Sequence, residues 1–308
     1  MKRITRRSFL HSTLAASLFT SMQGVTIAAV GKAPSLAFGT YGLPGYSLQD
    51  AIKLVSSAGF DSIEFVAMPG YHGAPDQVPQ ADRAEIRQML IDSNLTPCAL
   101  MGLPNPDASK QPENDAWVTQ TIELALDLAP KNPPIIQSVL GGGEWEDKKS
   151  LFRDTLGPWV ATASQAGVPL AIKPHRNQAM SLPEQGAWLI EQLDAKEHLK
   201  LVYDQSHFAF RNLPIAKTVA EALPYTGYIM IKDVVMENGK PRFRLPGETD
   251  SIPHAEVLRH FIDGGYQGQV CCEVSSQIWR SEDYDPSHAV KICFANLQDI
   301  MNAVEAKS

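Results

Sequence analysis

Positive charge is the first thing this chain lacks. Lysine and arginine number 27 against 34 aspartates and glutamates, a formal charge of −7. A basic face for nucleic acid or anionic lipid is therefore not expected. Cysteine is scarce: Cys98, Cys271, Cys272 and Cys293 are the four, and none has the paired spacing of a zinc site. The first three lie in apolar strand-like runs and read as small buried hydrophobes. Cys271 and Cys272 point to opposite faces of one strand, which opposes a bridge between them, although an oxidising compartment would allow a disulfide elsewhere. No Gly-rich phosphate loop follows the first strand-like run, because Gly39-Thr-Tyr-Gly42 lacks the spacing. Internal repeats, low-complexity tracts and Ser/Gly-rich linkers are also missing.

The amino terminus does carry positive charge. Arg6-Arg7-Ser-Phe9-Leu10 leads into a mildly apolar, acid-free stretch from Leu14 to Ala29. A basic start, an apolar middle and small residues at Ala28-Ala29 describe an export signal, and the arginine pair favours the twin-arginine route. The stretch is rich in Ser, Thr, Ala and Gly, which makes it a poor spanning helix, so no stable membrane insertion is expected after cleavage. Residues 1–29 are thus expected to be a signal and 30–308 one periplasmic or otherwise exported domain. Losing the four cations Lys2, Arg3, Arg6 and Arg7 takes the formal charge from −7 to −11.

From residue 35 onward, strand-like and helix-like segments alternate. Strands are expected at 35–39, 62–66, 96–101, 134–140, 169–172, 199–203, 227–231 and 269–274. Helices are expected at 48–58, 80–94, 115–128, 148–166, 183–193, 215–222, 254–263 and 286–304. Eight such pairs in one domain predict an α/β fold, the (β/α)8 TIM barrel. The longest excursion, 233–252, reads as a loop that covers substrate or meets another subunit.

Four runs end abruptly in polar groups: Ala171-Ile-Lys-Pro-His175, Leu201-Val-Tyr-Asp204-Gln-Ser-His207, Ile229-Met-Ile-Lys-Asp233 and Val270-Cys-Cys-Glu273. In a barrel of parallel strands the residues just past the strand ends converge on one mouth. Lys173, His175, Asp204, His207 and Glu273 are therefore the catalytic candidates. Glu64, Lys232, Asp233, Trp145 and Trp279 are candidates for binding substrate, the tryptophans by stacking on a sugar ring. Each also has a plainer reading as a buried ion pair or rim packing. Arg176, Arg280 and the histidines at 72, 198, 254, 260 and 288 are read as surface groups.

The chain resembles the sugar phosphate isomerase/epimerase superfamily with the xylose isomerase-like barrel. The resemblance rests on Gly59-Phe-Asp-Ser-Ile-Glu64, Leu201-Val-Tyr-Asp204-Gln-Ser-His207, Ile231-Lys-Asp233, Leu245-Pro-Gly-Glu248 and Gly265-Tyr-Gln-Gly-Gln-Val-Cys-Cys-Glu273, in that order along the chain. It implies one divalent ion (Mn, Mg or Zn) held by Glu, Asp, His and Glu from strands five to eight. Asp204 and Glu273 match two of these positions. Lys173 stands where the pattern has Glu, and Met230 where it has His. Asp204 and Glu273, with His207 or His175, remain a candidate metal set. Alternatively, Lys173 places its charge between the two carboxylates without any metal.

The expected activity is isomerase- or epimerase-like. A carbohydrate or polyol loses a proton beside a carbonyl, with Glu273 as base and Asp204 or His207 relaying the proton. Lys173 steadies the oxyanion and His175 orients the substrate. A keto-sugar lyase or hydrolase shares that first step, and a non-catalytic sugar-binding barrel is the rival outside enzymes. The expected partner is a small-molecule sugar, and a homo-oligomer is compatible with the sequence.

Overall fold

Strands that are apolar on both faces must be covered on both faces. The computed structural model, which describes residues 34–306, meets this by closing eight parallel strands into a barrel. The expected signal at 1–29 lies outside the described residues. The barrel strands are β1 (Ser35–Gly39), β2 (Ser62–Val66), β3 (Thr96–Met101), β4 (Ile135–Ser138), β5 (Leu170–Ile172), β6 (Leu199–Tyr203) and β7 (Thr226–Ile231). A short pair, β8 (Asp233–Glu237) and β9 (Lys240–Arg244), precedes the last barrel strand, β10 (Gln269–Cys272). The ring closes where β1 pairs with both β2 and β10, Ala37 lying opposite Ser62 on one side and Cys271 on the other.

The wrapping helices are α1 (Leu48–Ala58), α2 (Gln80–Asp92), α3 (Gln111–Leu128), α4 (Trp145–Ala166) and α5 (Pro183–Gln192). They continue with α6 (Ser206–Ala209), α7 (Ile215–Ala222), α8 (His254–Asp263), α9 (Ser276–Trp279) and α10 (Pro286–Glu305). Local chemistry sets their ends. The Ser47 side chain accepts from the Asp50 amide at the start of α1, and Gly59 ends that helix at φ 105°. A Cβ at Gly59 would lie 2.7 Å from the Phe294 ring, so both conformation and space require glycine there. Helix α4 begins three residues before the expected 148, taking Glu146 and Asp147 into its first turn, where acids favour the helix amino terminus.

The apolar core of the barrel and its helices has two parts, apart from a small cluster under the hairpin. The larger lies between strands and helices, with Ile63, Leu201, Cys272 and Phe261 among its members. The smaller fills the barrel and includes Ala37, Cys98, Ala171, Val202, Met230 and Cys271. Cys271 and Cys272 therefore do face opposite sides, and all four cysteines are buried and free.

The excursion at 233–252 differs from the loop expected there. It forms an antiparallel hairpin, β8 paired to β9, turning at Asn238 and Gly239 with φ of 50° and 72°. Asn-Gly between two extended runs is the residue pair that such a two-residue turn favours. Val234, Phe243 and Ile252 pack together beneath it, against Ala209, Phe210 and Ile278.

Candidate active site at the carboxyl-terminal mouth of the barrel

Side chains on a strand alternate faces, so the residue two positions beyond an inward one also points inward. Ala171, Val202, Met230 and Cys271 belong to the inner apolar layer. Two residues on come Lys173, Asp204, Lys232 and Glu273, which form the next layer toward the mouth. Lys173 Nζ lies 2.8 Å from Asp204 Oδ2 and 2.5 Å from Glu273 Oε2. Lys232 Nζ also bonds Asp204 Oδ2 and lies 2.9 Å from Glu273 Oε2. Two ammonium groups and two carboxylates thus interlock. All four are buried, Glu273 being the most accessible at 9%.

Burial alone would raise the Glu273 carboxyl, but Lys173 and then Lys232 outweigh it and hold the group down at about 2. Asp204 is likewise pushed up by burial and pulled well below its ordinary value by Lys173, Lys232 and His207. For Lys173, burial works against the charge, while Asp204 and Glu273 win and raise it above the ordinary lysine value. These carboxylates therefore stabilise the fold above the unfolded carboxylate range and lose that contribution as pH falls toward 2. For Glu273 alone the loss is on the order of 3 kcal/mol. Urea unfolding between pH 5 and 2.5 should show this fall, with a shallower slope in Glu273→Gln.

Two histidines, His175 and His207, pack beside the cluster with ring centroids 3.9 Å apart and the rings tilted by 45°. His207 Nε2 lies 3.3 Å from both Asp204 Oδ2 and Lys232 Nζ, while its Nδ1 is buried without a partner. Burial, then Lys232, holds His207 neutral, well below its ordinary pKa. His175 donates from Nδ1 to the Arg176 carbonyl. Burial, with Lys173 and Lys232, lowers it to about 4. Phe243 of the hairpin caps the cluster, its ring 5.0 Å from Lys232 Nζ, 4.7 Å from the Arg176 guanidinium and 5.6 Å from the His207 ring.

Above this layer lies a cavity of about 170 Å³, lined by Tyr41, Met68, Met101, Gln137, Ser138, Val139, Lys173, His175 and Glu273. Trp279 meets Tyr41 edge-on at 5.6 Å and so belongs to the aromatic wall of the mouth. Lys173, His175 and Glu273 reach this cavity, whereas Asp204 and His207 are fully buried behind it.

Other sequence candidates are placed differently. Trp145 makes its edge contact with Trp188 at 5.7 Å, joining α4 to α5, and does not line the cavity. Asp233 holds the chain after the hairpin, accepting from the Gly247 amide, from the Thr249 amide and hydroxyl, and from His254 Nε2. It is fully buried, so substrate does not meet it. His254, read as a surface group, is 4% exposed because it completes that anchor. Lys232 is buried within the ion cluster, and Glu64 lies buried in the barrel interior. Gln137, Tyr41 and Phe243 escaped the sequence reading. Gln137 had a signal, a lone amide inside the apolar run of β4.

The donor set does not fit a divalent cation. Asp204 Oδ2, Glu273 Oε2 and Met230 Sδ, the last at 3.3 Å, all converge on Lys173 Nζ. That point is filled by an ammonium, which has no lone pair to offer, with a second ammonium beside it. A hard ion would find two carboxylates already committed and a thioether for a third ligand. Among the described residues no group of three or more His, Cys, Asp and Glu is placed to hold a metal. In the expected set of Asp204 and Glu273 with His207 or His175, both carboxylates are engaged by these ammonium groups.

The family pattern described as xylose isomerase-like TIM barrel matches residues 52–291. No curated protein matches the sequence. Solved structures do match. An IolI protein with a bound zinc atom superposes with a TM-score of 0.72 at 18% identity, covering 87% of this chain and 98% of that one. D-psicose 3-epimerase with D-tagatose, from Clostridium cellulolyticum H10, gives 0.71 at 15% identity, covering 88% and 99%. A xylose isomerase-like TIM barrel/4-hydroxyphenylpyruvate dioxygenase fusion protein gives 0.69 at 14%, covering 89% of this chain, which spans 44% of the fusion.

Proposed function

Because this chain belongs to the xylose isomerase-like TIM barrel family, we propose that it is a sugar isomerase/epimerase-like enzyme that removes a proton beside a ketone, with an ammonium group as its electrophile. The observation that carries this reading is the placement of Lys173 and Glu273 side by side on one cavity wall. A keto oxygen that accepts from Lys173 draws the ammonium away from Glu273. The carboxylate then becomes more basic at the moment a base is needed. Glu273 takes the proton from the adjacent carbon, the C–H pair moves into a carbon–carbon double bond, and the carbonyl pair becomes an enolate oxygen on Lys173. Lys232 stays bonded to Asp204 and Glu273 throughout, and His175 lines the cavity as a neutral imidazole that binds hydroxyls. The structure of an epimerase with D-tagatose among its neighbours supports a sugar as the substrate.

A second reading has its own support. Glu273 is the single carboxylate lining the cavity among the described residues. One base serves a 1,2-proton shift or an elimination, whereas epimerisation also needs a proton delivered to the opposite face. A keto-sugar lyase therefore shares the first step and requires less of the site. Incubation with a panel of ketoses and keto-glycosides in deuterium oxide tests both readings. Deuterium at the carbon beside the carbonyl is expected, with loss of a leaving group marking the lyase. No incorporation across the panel would leave the site a binding pocket.

An exported location is part of this proposal. The arginine pair and the apolar stretch after it support export through the twin-arginine route, and Arg6→Lys with Arg7→Lys should retain the protein in the cytoplasm on fractionation. Among the described residues no helix is long and apolar enough to cross a membrane.

A further inference from the structure

Below the ion cluster lies a carboxyl group that the proposed chemistry does not use. Glu64 of β2 is fully buried, and its Oε2 accepts from Gln137 Nε2 at 2.8 Å. Its other oxygen, Oε1, has no partner. A second, weak contact runs from Gln137 Nε2 to Met230 Sδ at 4.0 Å, so both amide hydrogens have acceptors on the inner side. Gln137 lines the cavity, and its Oε1 is not among the buried atoms left without a partner. The carboxamide is turned with its donors inward and its acceptor toward the cavity.

We infer that Glu64 is a positioning residue that holds the Gln137 carbonyl toward the cavity, equipping the site for an α-hydroxy ketone whose keto oxygen meets Lys173 and whose neighbouring hydroxyl donates to Gln137. This rests on the ketone reading above and extends it to the group beside the ketone. Lys173 Nζ and Gln137 Nε2 both point at the Met230 sulfur, at 3.3 and 4.0 Å, so the Gln137 carboxamide lies beside the ammonium among the residues that line the cavity. A carboxylate can only accept, so an ionised Glu64 permits one orientation of the amide. A protonated Glu64 can donate to the Gln137 carbonyl and reverse it.

The balance between those states falls near neutrality. Burial raises Glu64 to about 7, opposed by the Gln137 hydrogen bond, assisted by the charge of Glu273 and opposed by Lys173. The other titratable groups facing it are the Tyr228 phenol and the Cys98 and Cys271 thiols, which burial keeps protonated. With burial raising it to about 7, Glu64 is the group whose charge the pH comparison addresses.

Binding of two small ketones followed by proton NMR tests the inference. 1,3-Dihydroxyacetone carries the hydroxyl donor, and 1,3-dimethoxyacetone keeps the ketone without it. At pH 8 the wild type should prefer dihydroxyacetone about tenfold, the worth of one net hydrogen bond, and at pH 6 the preference should collapse. In Glu64→Gln the preference should not change between the two pH values. In Gln137→Met it should be absent at both, with thermal melts confirming that each variant is folded. A wild-type preference equal at pH 6 and 8, or a pH step that survives in Glu64→Gln, overturns the inference alone. Failure of the wild type to bind either ketone contradicts the ketone reading and takes this inference with it.

Discussion

Replacing Lys173 with methionine is expected to cost the folded protein about 3–5 kcal/mol, the usual cost of removing one partner from a buried ion pair. Lys173 is one of two cations set against two carboxylates, all of them buried. Without it Lys232 alone faces both acids, and one buried negative charge is left over. Chemical denaturation at pH 7 measures the loss. Part of the deficit should return in Lys173→Met with Glu273→Gln, which rebalances the cluster at one cation and one anion. Activity should not return, because the donor for the enolate oxygen and the base are both gone. Deuterium incorporation in the single variant should fall by about 10²-fold or more, the effect of losing an oxyanion donor. A loss below about 1 kcal/mol in Lys173→Met would mean that the pairs are solvated like surface ion pairs, in conflict with their burial.

The second large effect is a gain. The double change Lys173→Glu with Met230→His is expected to turn the cluster into a site for a divalent cation. Asp204, Glu273 and Met230 already surround the Lys173 ammonium. Withdrawing that ammonium while adding a carboxylate and an imidazole at its margin supplies four oxygen and nitrogen ligands. Calorimetry with Mn²⁺ and Zn²⁺ should register one ion per chain in the double variant and none at this site in the wild type. The melting temperature of the variant should rise with ion concentration, as linkage requires. Equal binding by the wild type would show that Lys173 yields its place to an ion, contrary to the geometry described.

The barrel was legible in the sequence because each strand is a short apolar run and helix-like spacing separates one from the next, with a stop such as Gly59 after α1. Four strand ends were readable for the same reason: polar groups at Lys173, Asp204, Lys232 and Glu273 interrupt runs that are otherwise apolar. Their meeting in one cluster follows from alternation along parallel strands, a regularity independent of the chain's other details. The hairpin was missed although Asn238-Gly239 announced it, because the surrounding Pro and Gly residues resembled an irregular loop. Asp233 could not be told from a site residue, nor His254 from a surface group, since their bond to each other spans 21 positions and is a tertiary fact. The separation of cavity-facing His175 from buried His207 likewise depends on how the loop after β5 packs against α6. Trp145 illustrates the opposite error, an aromatic beside a glycine turn whose partner, Trp188, lies on the neighbouring helix.

Solvent-proton exchange by protein stripped of metal with a strong chelator is the most direct test. With a ketose substrate found by the panel above, deuterium should enter the carbon beside the carbonyl at the same rate before and after stripping. Added Mn²⁺ should leave that rate unchanged, since an ammonium already holds the position of the electrophile. Exchange that vanishes on stripping and returns with the ion would contradict the account.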